Sequence, residues 1–323
     1  MKIIATQPQL IMNKINFLPV YRGMLMTLTV LVLAGCVTIP TQPEVVPPVV
    51  APVKTPVITP VARLAPKIAL VLGGGGTRGF AHVGVIKALE AQGIVPDIIV
   101  GTSVGSAVGA LYAAGFNGYQ LQEISIPMKE DSVIDWSWPN RGIFTGKTLE
   151  DFINRTLKQQ PLEKLLRKFA VVATDLKTGE EIVFRTGNTG LAVRASCAVP
   201  GVFQPTLING RSYVDGGLVR PVPVSEARQL GADFVIAVDI SNKPENNTTD
   251  TTVDVLMQAI DIMSQSINRY ELPKADVVIR PVTHAINQSS LDDRHTAILE
   301  GEKAAAAVMP EIKAKLLKLR EGR

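Results

Sequence analysis

Short apolar runs alternate with helical patterns along most of this 323-residue chain, and this alternation restricts the folds open to it. The run KIALVL precedes the helical pattern GFAHVGVIKALEAQG, and DIIV precedes GSAVGALYAAG. Strands that alternate with helices of this length form parallel sheets with helices on both faces. We therefore predict an α/β fold, a three-layer α/β/α arrangement around a mainly parallel central sheet.

Further apolar stretches continue this pattern towards the C-terminus. The segments FAVVATD, EIVFRT, RSYVD, FVIAVD and DVVIR predict strands, and nearly continuous apolar runs are typical of buried ones. Helices are expected over residues 149–157, 191–197, 223–230, 253–270 and 293–319. No second linker follows Pro66, so residues 66–323 are interpreted as one globular domain.

The N-terminal segment resembles an export signal. Lys2, Lys14 and Arg22 precede the apolar run MLMTLTVLVLAGC, which is too short for a comfortable membrane span. Its last four residues, LAGC, are similar to the lipobox of bacterial lipoproteins, in which the cysteine is lipidated. We expect residues 1–35 to be a lipoprotein signal peptide and Cys36 to carry the lipid, with an uncleaved anchor or a core helix as alternatives.

Residues 36–65 are rich in proline and valine, a composition that favours extended polyproline conformations. We interpret them as a semi-rigid tether between a membrane lipid anchor and the globular domain. Val37 stands where an aspartate would indicate retention in the inner membrane. The expected location is therefore the bacterial cell envelope, at the outer membrane.

The charge pattern restricts the partners. The net charge is only +4, with 19% charged residues and no dense basic block, so no nucleic acid partner is expected. The sequence has no His and acid spacing of the zinc type and no calcium loop, so we expect no metal and no other cofactor. Nothing in the sequence determines the oligomeric state.

Two glycine-rich turns follow the first two strands. In LVLGGGGTRGFAHVG, Gly74, Gly76 and Gly79 fit G-x-G-x-x-G, a pattern that points amide groups at an anion near a helix start. A dinucleotide site would require an acid after the second strand, where Gly101-Thr102-Ser103-Val104-Gly105 stands instead. This G-x-S-x-G lies between a strand and a helix, the context of a nucleophile elbow, although a serine helix cap is the simpler alternative.

A nucleophilic serine needs a base. His82 follows the glycine turn and favours a packed or solvent-facing role, and His284 and His295 lie in polar segments without glycines. Asp215, in VDGGLVRPVPV, follows a predicted strand and precedes Gly216-Gly217, which would let it approach the serine turn. We expect Asp215 to act as the base without a histidine, although Asp-Gly is also a common turn.

These three motifs, in this order, resemble the patatin-like phospholipase family. The similarity extends through RASCAVPGVFQP and GGLVRPVPVSEARQLGADFVIAVDI and covers about residues 67–240. It implies a patatin-like fold with Ser103 as the acylated nucleophile and Asp215 as its dyad partner. It also implies an oxyanion hole from the amides of Gly74, Gly75 and Gly76, supported by motif residues Arg78, Gly79, Gly101, Gly105, Gly216 and Gly217.

The resemblance implies a serine acyl hydrolase whose substrate is a phospholipid, a lysophospholipid or another acyl-ester lipid. Ile143, Phe144 and Phe203 are candidates for the acyl pocket or for the core. We expect Cys197, where Ser or Ala is common, to be a small buried residue outside the chemistry. The alternatives are a thioesterase or acyltransferase on the same site, a non-catalytic lipid- or protein-binding surface lipoprotein, and a dinucleotide-dependent oxidoreductase.

Overall fold

A computed structural model describes residues 65–128, 135, 143–246, 249–283, 286 and 292–322. The expected signal peptide, Cys36, nearly all of the tether and His284 lie outside the described residues. The strands are β1 (Ile68–Leu72), β2 (Ile98–Thr102), β3 (Lys168–Asp175), β4 (Glu181–Phe184), β5 (Thr206–Ile208), β6 (Arg211–Asp215), β7 (Phe234–Val238) and β8 (Val277–Ile279).

The longer helices occupy the segments between and after these strands. They are α1 (Phe80–Glu90), α2 (Val104–Ala113), α3 (Gly118–Ser125), α4 (Lys147–Thr156), α5 (Thr189–Ser196), α6 (Val224–Gln229), α7 (Thr252–Glu271) and α8 (Arg294–Glu321). The five helices predicted after residue 140 all form, with ends shifted by a few residues. Helix α3 and strand β5 were not predicted.

The eight described strands form one mixed sheet in the order β5-β6-β3-β2-β1-β7-β8, with β4 also paired to β3. Strands β3, β2, β1, β7 and β8 run parallel, whereas β4 and β6 are antiparallel to β3, and β5 is antiparallel to β6. The sheet is thus mainly parallel, and its antiparallel strands lie at the side where β6 brings Asp215 to β3.

Helices cover both faces of this sheet. Side chains alternate between faces along a strand, so Leu70 and Leu72 pack in a cluster with α1, α2 and α8, whereas Ala69 and Val71 pack with α6. All of these side chains are buried. The predicted three-layer α/β/α fold is confirmed, and the carboxyl ends of its central parallel strands carry the loops that form the candidate site.

Candidate active site

Ser103 lies on a sharp turn between β2 and α2. Its backbone has φ 53° and ψ −130°, a conformation that costs free energy for a residue with a side chain. The turn closes because Gly105 lies against the end of β1, where a Cβ atom would lie 2.1 Å from the carbonyl oxygen of Leu72. Gly101, at the other end of the motif, also packs closely against α2, where a Cβ atom would lie 2.5 Å from Cα of Ser106. The geometry is that of a nucleophile elbow, not of a serine helix cap, because the Ser103 side chain makes no capping hydrogen bond.

Two neighbouring serines hold this strained turn. The Ser103 N–H donates to Oγ of Ser196 at 2.8 Å, and the Ser196 hydroxyl donates to the carbonyl oxygen of Val172 at 2.5 Å. On the helix side, the N–H and the hydroxyl of Ser106 both donate to the Ser103 carbonyl oxygen, at 2.8 and 2.6 Å. The main chain of Ser103 is therefore fixed on both sides, and its hydroxyl remains available for chemistry.

Asp215 ends β6, and strand pairing brings it to the serine turn. Two adjacent residues of β3 pair with the ends of β2 and β6. Val172 pairs with Thr102 of β2, and Ala173 pairs with Asp215 of β6. The next residue, Gly216, lies so close to β3 that a Cβ atom would lie 2.2 Å from the carbonyl oxygen of Val172. Only glycine fits this crossing, which explains the glycine after the acid.

The carboxyl group of Asp215 is buried and only partly hydrogen-bonded. Its Oδ1 accepts from the Gly217 N–H at 2.7 Å, whereas Oδ2 forms no hydrogen bond with any described residue. Burial raises the pKa of Asp215 to about 6, and the nearby Ser103 hydroxyl and the Gly217 N–H lower it by less. The group is thus a stronger base than an ordinary aspartate, and one of its oxygens is free to take a proton.

The glycine loop after β1 runs beside the serine, since a Cβ atom on Gly74 would lie 3.3 Å from Cβ of Ser103. The Gly74 N–H is already engaged, because it donates to the Pro221 carbonyl oxygen at 3.0 Å. The N–H groups of Gly75 and Gly76 donate to no acceptor among the described residues. Of the three amides expected in the oxyanion hole, those of Gly75 and Gly76 are the ones free to bind an oxyanion.

Arg78, from the same motif, is a buried cation that packs under the loop with 2% exposure. Its Nε and Nη1 atoms have no hydrogen-bond partner among the described residues. Burial lowers the pKa of the guanidinium, and the carboxylates of Asp261 and Asp239 act in the opposite direction. Gly79 follows and packs directly against Val104 of α2, which joins the glycine loop to the elbow.

The two described histidines are unsuited to be the base. His82 is fully buried, and its Nε2 is hydrogen-bonded to the Gly73 carbonyl oxygen at 2.8 Å, so it supports the glycine loop. Burial lowers the pKa of His82 to about 4, which keeps the imidazole neutral at ordinary pH. His295 is exposed at the start of α8.

Ser103 and Asp215 open into a cavity of about 890 Å³. This volume is within the range of small-molecule binding sites. Most of the wall is apolar, and the candidate acyl-pocket residues Ile143, Phe144 and Phe203 belong to it. The rings of Phe144 and Phe203 contact each other, with centroids 5.5 Å apart.

Cys197 also lines this cavity, and it is half-buried where the sequence predicted a buried residue. Burial and then the Asp215 carboxylate raise the pKa of its thiol, and the side chains of Ser106 and Ser103 act on it as hydrogen-bonding neighbours. Cys197 follows directly after Ser196 at the end of α5, so helix geometry brings it to the elbow. The thiol is therefore a neutral neighbour of the Ser103 hydroxyl.

Neither a metal site nor a membrane-spanning helix is present among the described residues. No group of three or more His, Cys, Asp or Glu side chains is placed to bind a metal ion. None of the helices there is both long and apolar enough to span a membrane.

Sequence reasoning missed the residues that hold the site together, chiefly Thr102, Ser196 and Arg220. Each acts through hydrogen bonds to residues that are distant in sequence; Ser196, for example, contacts Ser103 across 93 positions. The only sequence feature that pointed to these residues was their position in or beside the three motif segments. No residue type or spacing distinguished them from other polar residues there.

Comparison with known proteins indicates the family to which this chain is similar. A family model described as patatin-like phospholipase matches residues 70–228. An uncharacterised NTE family protein of Mycobacterium tuberculosis is 33% identical over 208 residues, which cover 62% of this chain and 57% of the relative. Patatin-like phospholipase domain-containing protein 6 of Homo sapiens is 36% identical over 188 residues, 56% of this chain and 14% of that protein. The chain thus spans less than two thirds of either relative.

Among solved structures, VipD from Legionella pneumophila has a TM-score of 0.53 to this chain at 13% identity. The superposition covers 76% of this chain and 67% of that one, and it shows a shared fold. The matched family region, residues 70–228, includes the glycine loop, the elbow and Asp215. These comparisons leave the dinucleotide-dependent oxidoreductase hypothesis without support.

Proposed function

We propose that this chain, a member of the patatin-like phospholipase family through residues 70–228, hydrolyses acyl esters of phospholipids or lysophospholipids with a Ser103–Asp215 dyad. The observation that carries the proposal is the pairing of adjacent β3 residues with Thr102 and with Asp215. This pairing sets the strained serine turn beside a buried carboxyl that has one free oxygen.

In the proposed reaction, Oγ of Ser103 attacks the ester carbonyl carbon while Oδ2 of Asp215 accepts the hydroxyl proton. The carbonyl oxygen becomes an oxyanion, which the N–H groups of Gly75 and Gly76 stabilise. Loss of one such donor typically raises a barrier by about 3 kcal/mol. The lipid alcohol departs with the proton from Asp215, and water then releases the fatty acid from Ser103 by the same steps.

The cavity favours a lipid substrate. Its wall is largely apolar around Ser103, as an acyl chain requires, and Ile143, Phe144 and Phe203 would contact that chain. The raised pKa of Asp215 places a base of suitable strength near neutral pH. In the proposed mechanism, the base and the oxyanion donors are groups of the protein itself.

Hydrolysis of defined lipids by the full-length chain tests the proposal. The panel consists of a diacyl phospholipid, a lysophospholipid, a triacylglycerol and an acyl thioester, each assayed for released fatty acid. We expect release from the phospholipids that falls at least a thousandfold in Ser103→Ala and in Asp215→Ala. Preference for the thioester would favour the thioesterase alternative, and equal activity of wild type and variants would refute the dyad.

We also propose that the chain is a lipoprotein of the bacterial cell envelope, with residues 1–35 removed, Cys36 lipidated and residues 36–65 as a tether. The motif LAGC at the end of an apolar run supports this. Metabolic labelling with radioactive palmitate should mark the wild type and not Cys36→Ala. Equal labelling of both proteins, or an intact N-terminal peptide in the wild type, would contradict the anchor.

A further inference from the structure

The dipeptide Arg220–Pro221, here called the clamp, contacts all three segments of the candidate site through its main chain. The Pro221 carbonyl oxygen accepts from the Gly74 N–H at 3.0 Å, and the Arg220 carbonyl oxygen accepts from the Thr102 hydroxyl at 2.8 Å. The Arg220 N–H donates to the Gly216 carbonyl oxygen at 2.8 Å. The clamp thus links the glycine loop, the serine turn and the acid turn.

In each of these three hydrogen bonds, the partner of the clamp is the sequence neighbour of a residue proposed to act in the reaction. Gly74 precedes the free amides of Gly75 and Gly76, Thr102 precedes Ser103, and Gly216 follows Asp215. These three segments are distant in the sequence, so their relative positions depend on such cross-links. A movement of the clamp would therefore change the distances among the serine hydroxyl, the aspartate carboxyl and the free glycine amides at the same time.

The Arg220 side chain anchors the clamp from behind. Its Nε lies 3.1 Å from Oε2 of Glu181 in β4 and 3.2 Å from Oε1 of Glu226 in α6. Glu226 is 1% exposed, and its second carboxyl oxygen has no partner among the described residues. Because an unpaired buried carboxylate is costly, the arginine is held strongly in this place.

Arg220 stands behind the site and not in it. Pro221 belongs to the cavity wall, whereas Arg220 is absent from the described residues that line the cavity. Burial, followed by the Glu226 carboxyl group, raises the pKa of Glu181, and the Arg220 guanidinium acts in the opposite direction. The guanidinium thus pairs with protein groups outside the cavity wall.

We infer that Arg220 is a positioning residue, whose side chain fixes the Arg220–Pro221 clamp so that the clamp's main chain sets the relative positions of Ser103, Asp215 and the glycine amides. The inference rests on the function proposed for Ser103 and Asp215. It adds a residue that contacts neither the substrate nor the reacting atoms.

The first test compares Arg220→Met with Arg228→Met in the full-length chain. Arg228, also on the α6 side, is a matched control because its side chain is 34% exposed, against 33% for Arg220, and pairs with Asp276 at 2.7 Å. We expect Arg220→Met to lower kcat by about 10- to 100-fold with KM within twofold, as a misplaced catalytic group does. Arg220→Lys should retain part of the activity, and Arg228→Met should match the wild type.

The second test uses Thr102, whose hydroxyl binds the clamp. Thr102→Val should slow labelling of Ser103 by a fluorophosphonate about tenfold, because it leaves the Arg220 carbonyl oxygen without this donor, and Thr102→Ser should restore the rate. The double variant Thr102→Val with Arg220→Met should be hardly slower than Arg220→Met alone, since both changes release the same clamp. A double variant that is slowed by the product of the two single effects would contradict the inference.

The outcomes separate the two proposals. If the wild type shows no hydrolysis that depends on Ser103, the proposed function fails. If that hydrolysis is present and Arg220→Met equals Arg228→Met, the positioning role is refuted. If Arg220→Met shows no cooperative thermal transition, the labelling rates of Thr102→Val and Thr102→Ser test the inference instead. Equal rates in these two variants would refute the positioning role of the clamp.

Discussion

Replacement of Asp215 by asparagine is expected to stabilise the fold at neutral pH while it removes the proposed base. The carboxyl is 6% exposed, and burial raises its pKa from 3.8 to about 6. The folded state therefore binds the proton more tightly than the unfolded chain does, and stability is lost as the pH rises from the unfolded pKa to about 6. The change of Asp215→Asn keeps an oxygen for the Gly217 N–H and removes the buried charge.

The magnitude follows from the two pKa values. A difference between 3.8 and about 6 corresponds to about 3 kcal/mol, at about 1.4 kcal/mol per pH unit. The variant loses about 1 to 2 kcal/mol of this, because its amide N–H₂ replaces an oxygen that has no partner. The net gain of about 1 to 2 kcal/mol raises Tm by about 3 to 6 °C in a domain of this size.

The pH dependence has a definite sign. Because the folded pKa lies above the unfolded one, the wild type loses stability as pH rises from about 4 to about 6. The advantage of Asp215→Asn should be complete above about pH 7 and absent at pH 4. Thermal unfolding followed by circular dichroism at pH 4, 6 and 8 measures it.

Asp175 provides a control, because its pKa is shifted in the opposite direction to that of Asp215. It ends β3, and the N–H groups of Thr178 and Lys177, together with Arg211, lower its pKa. Asp175→Asn should therefore destabilise the fold at pH 8. If Asp215→Asn were also destabilising at pH 8, or if its effect did not change with pH, the assignment of Asp215 as a buried carboxyl with a raised pKa would be wrong.

Three further predictions concern the same site. Because Asp215 must be ionised to accept a proton, kcat/KM for an ester should rise through about pH 6 in initial-rate measurements, and a plateau down to pH 4.5 would contradict the base. Gly105→Ala should destabilise the fold by about 1 to 3 kcal/mol in urea unfolding, since its Cβ would meet the Leu72 carbonyl oxygen at 2.1 Å; an unchanged midpoint would argue against this packing. Ser196→Ala should slow fluorophosphonate labelling of Ser103 about tenfold by releasing the Ser103 N–H. Ser212→Ala is the control, because Ser212 is a half-buried serine of β6 outside the cavity wall.

The parts of the fold that sequence predicted are those in which local signals agree. Strands β1 and β2 were identifiable because apolar runs end at glycines and helical patterns follow. Helix α3 was missed because GYQLQEIS is largely polar, although the capping box between Asn117 and Gln120 was a usable signal. Strand β5 has three residues, too few for a periodic pattern. Strand direction, and hence the antiparallel β4 and β6, depends on tertiary pairing that runs of residues do not encode.

The candidate site also contains residues that the sequence could predict and residues that it could not. Ser103 and Asp215 could be predicted as candidates because the required glycines surround them, and glycine requirements are visible in a sequence. The contacts of Ser196 and Arg220 were invisible, because hydrogen bonds between distant segments follow from the completed fold. The place of Cys197 at the cavity wall was not predictable for the same reason, since it depends on how α5 ends.

The most direct test of the account is the location and rate of covalent labelling by a fluorophosphonate in the full-length protein. Peptide mass spectrometry should find one phosphonate per chain, on Ser103, and labelling should slow at least a hundredfold in Asp215→Ala, whose fold is checked by its thermal transition. A phosphonate on another residue, or an Asp215→Ala protein that is labelled at the wild-type rate, would contradict a nucleophile activated by this acid.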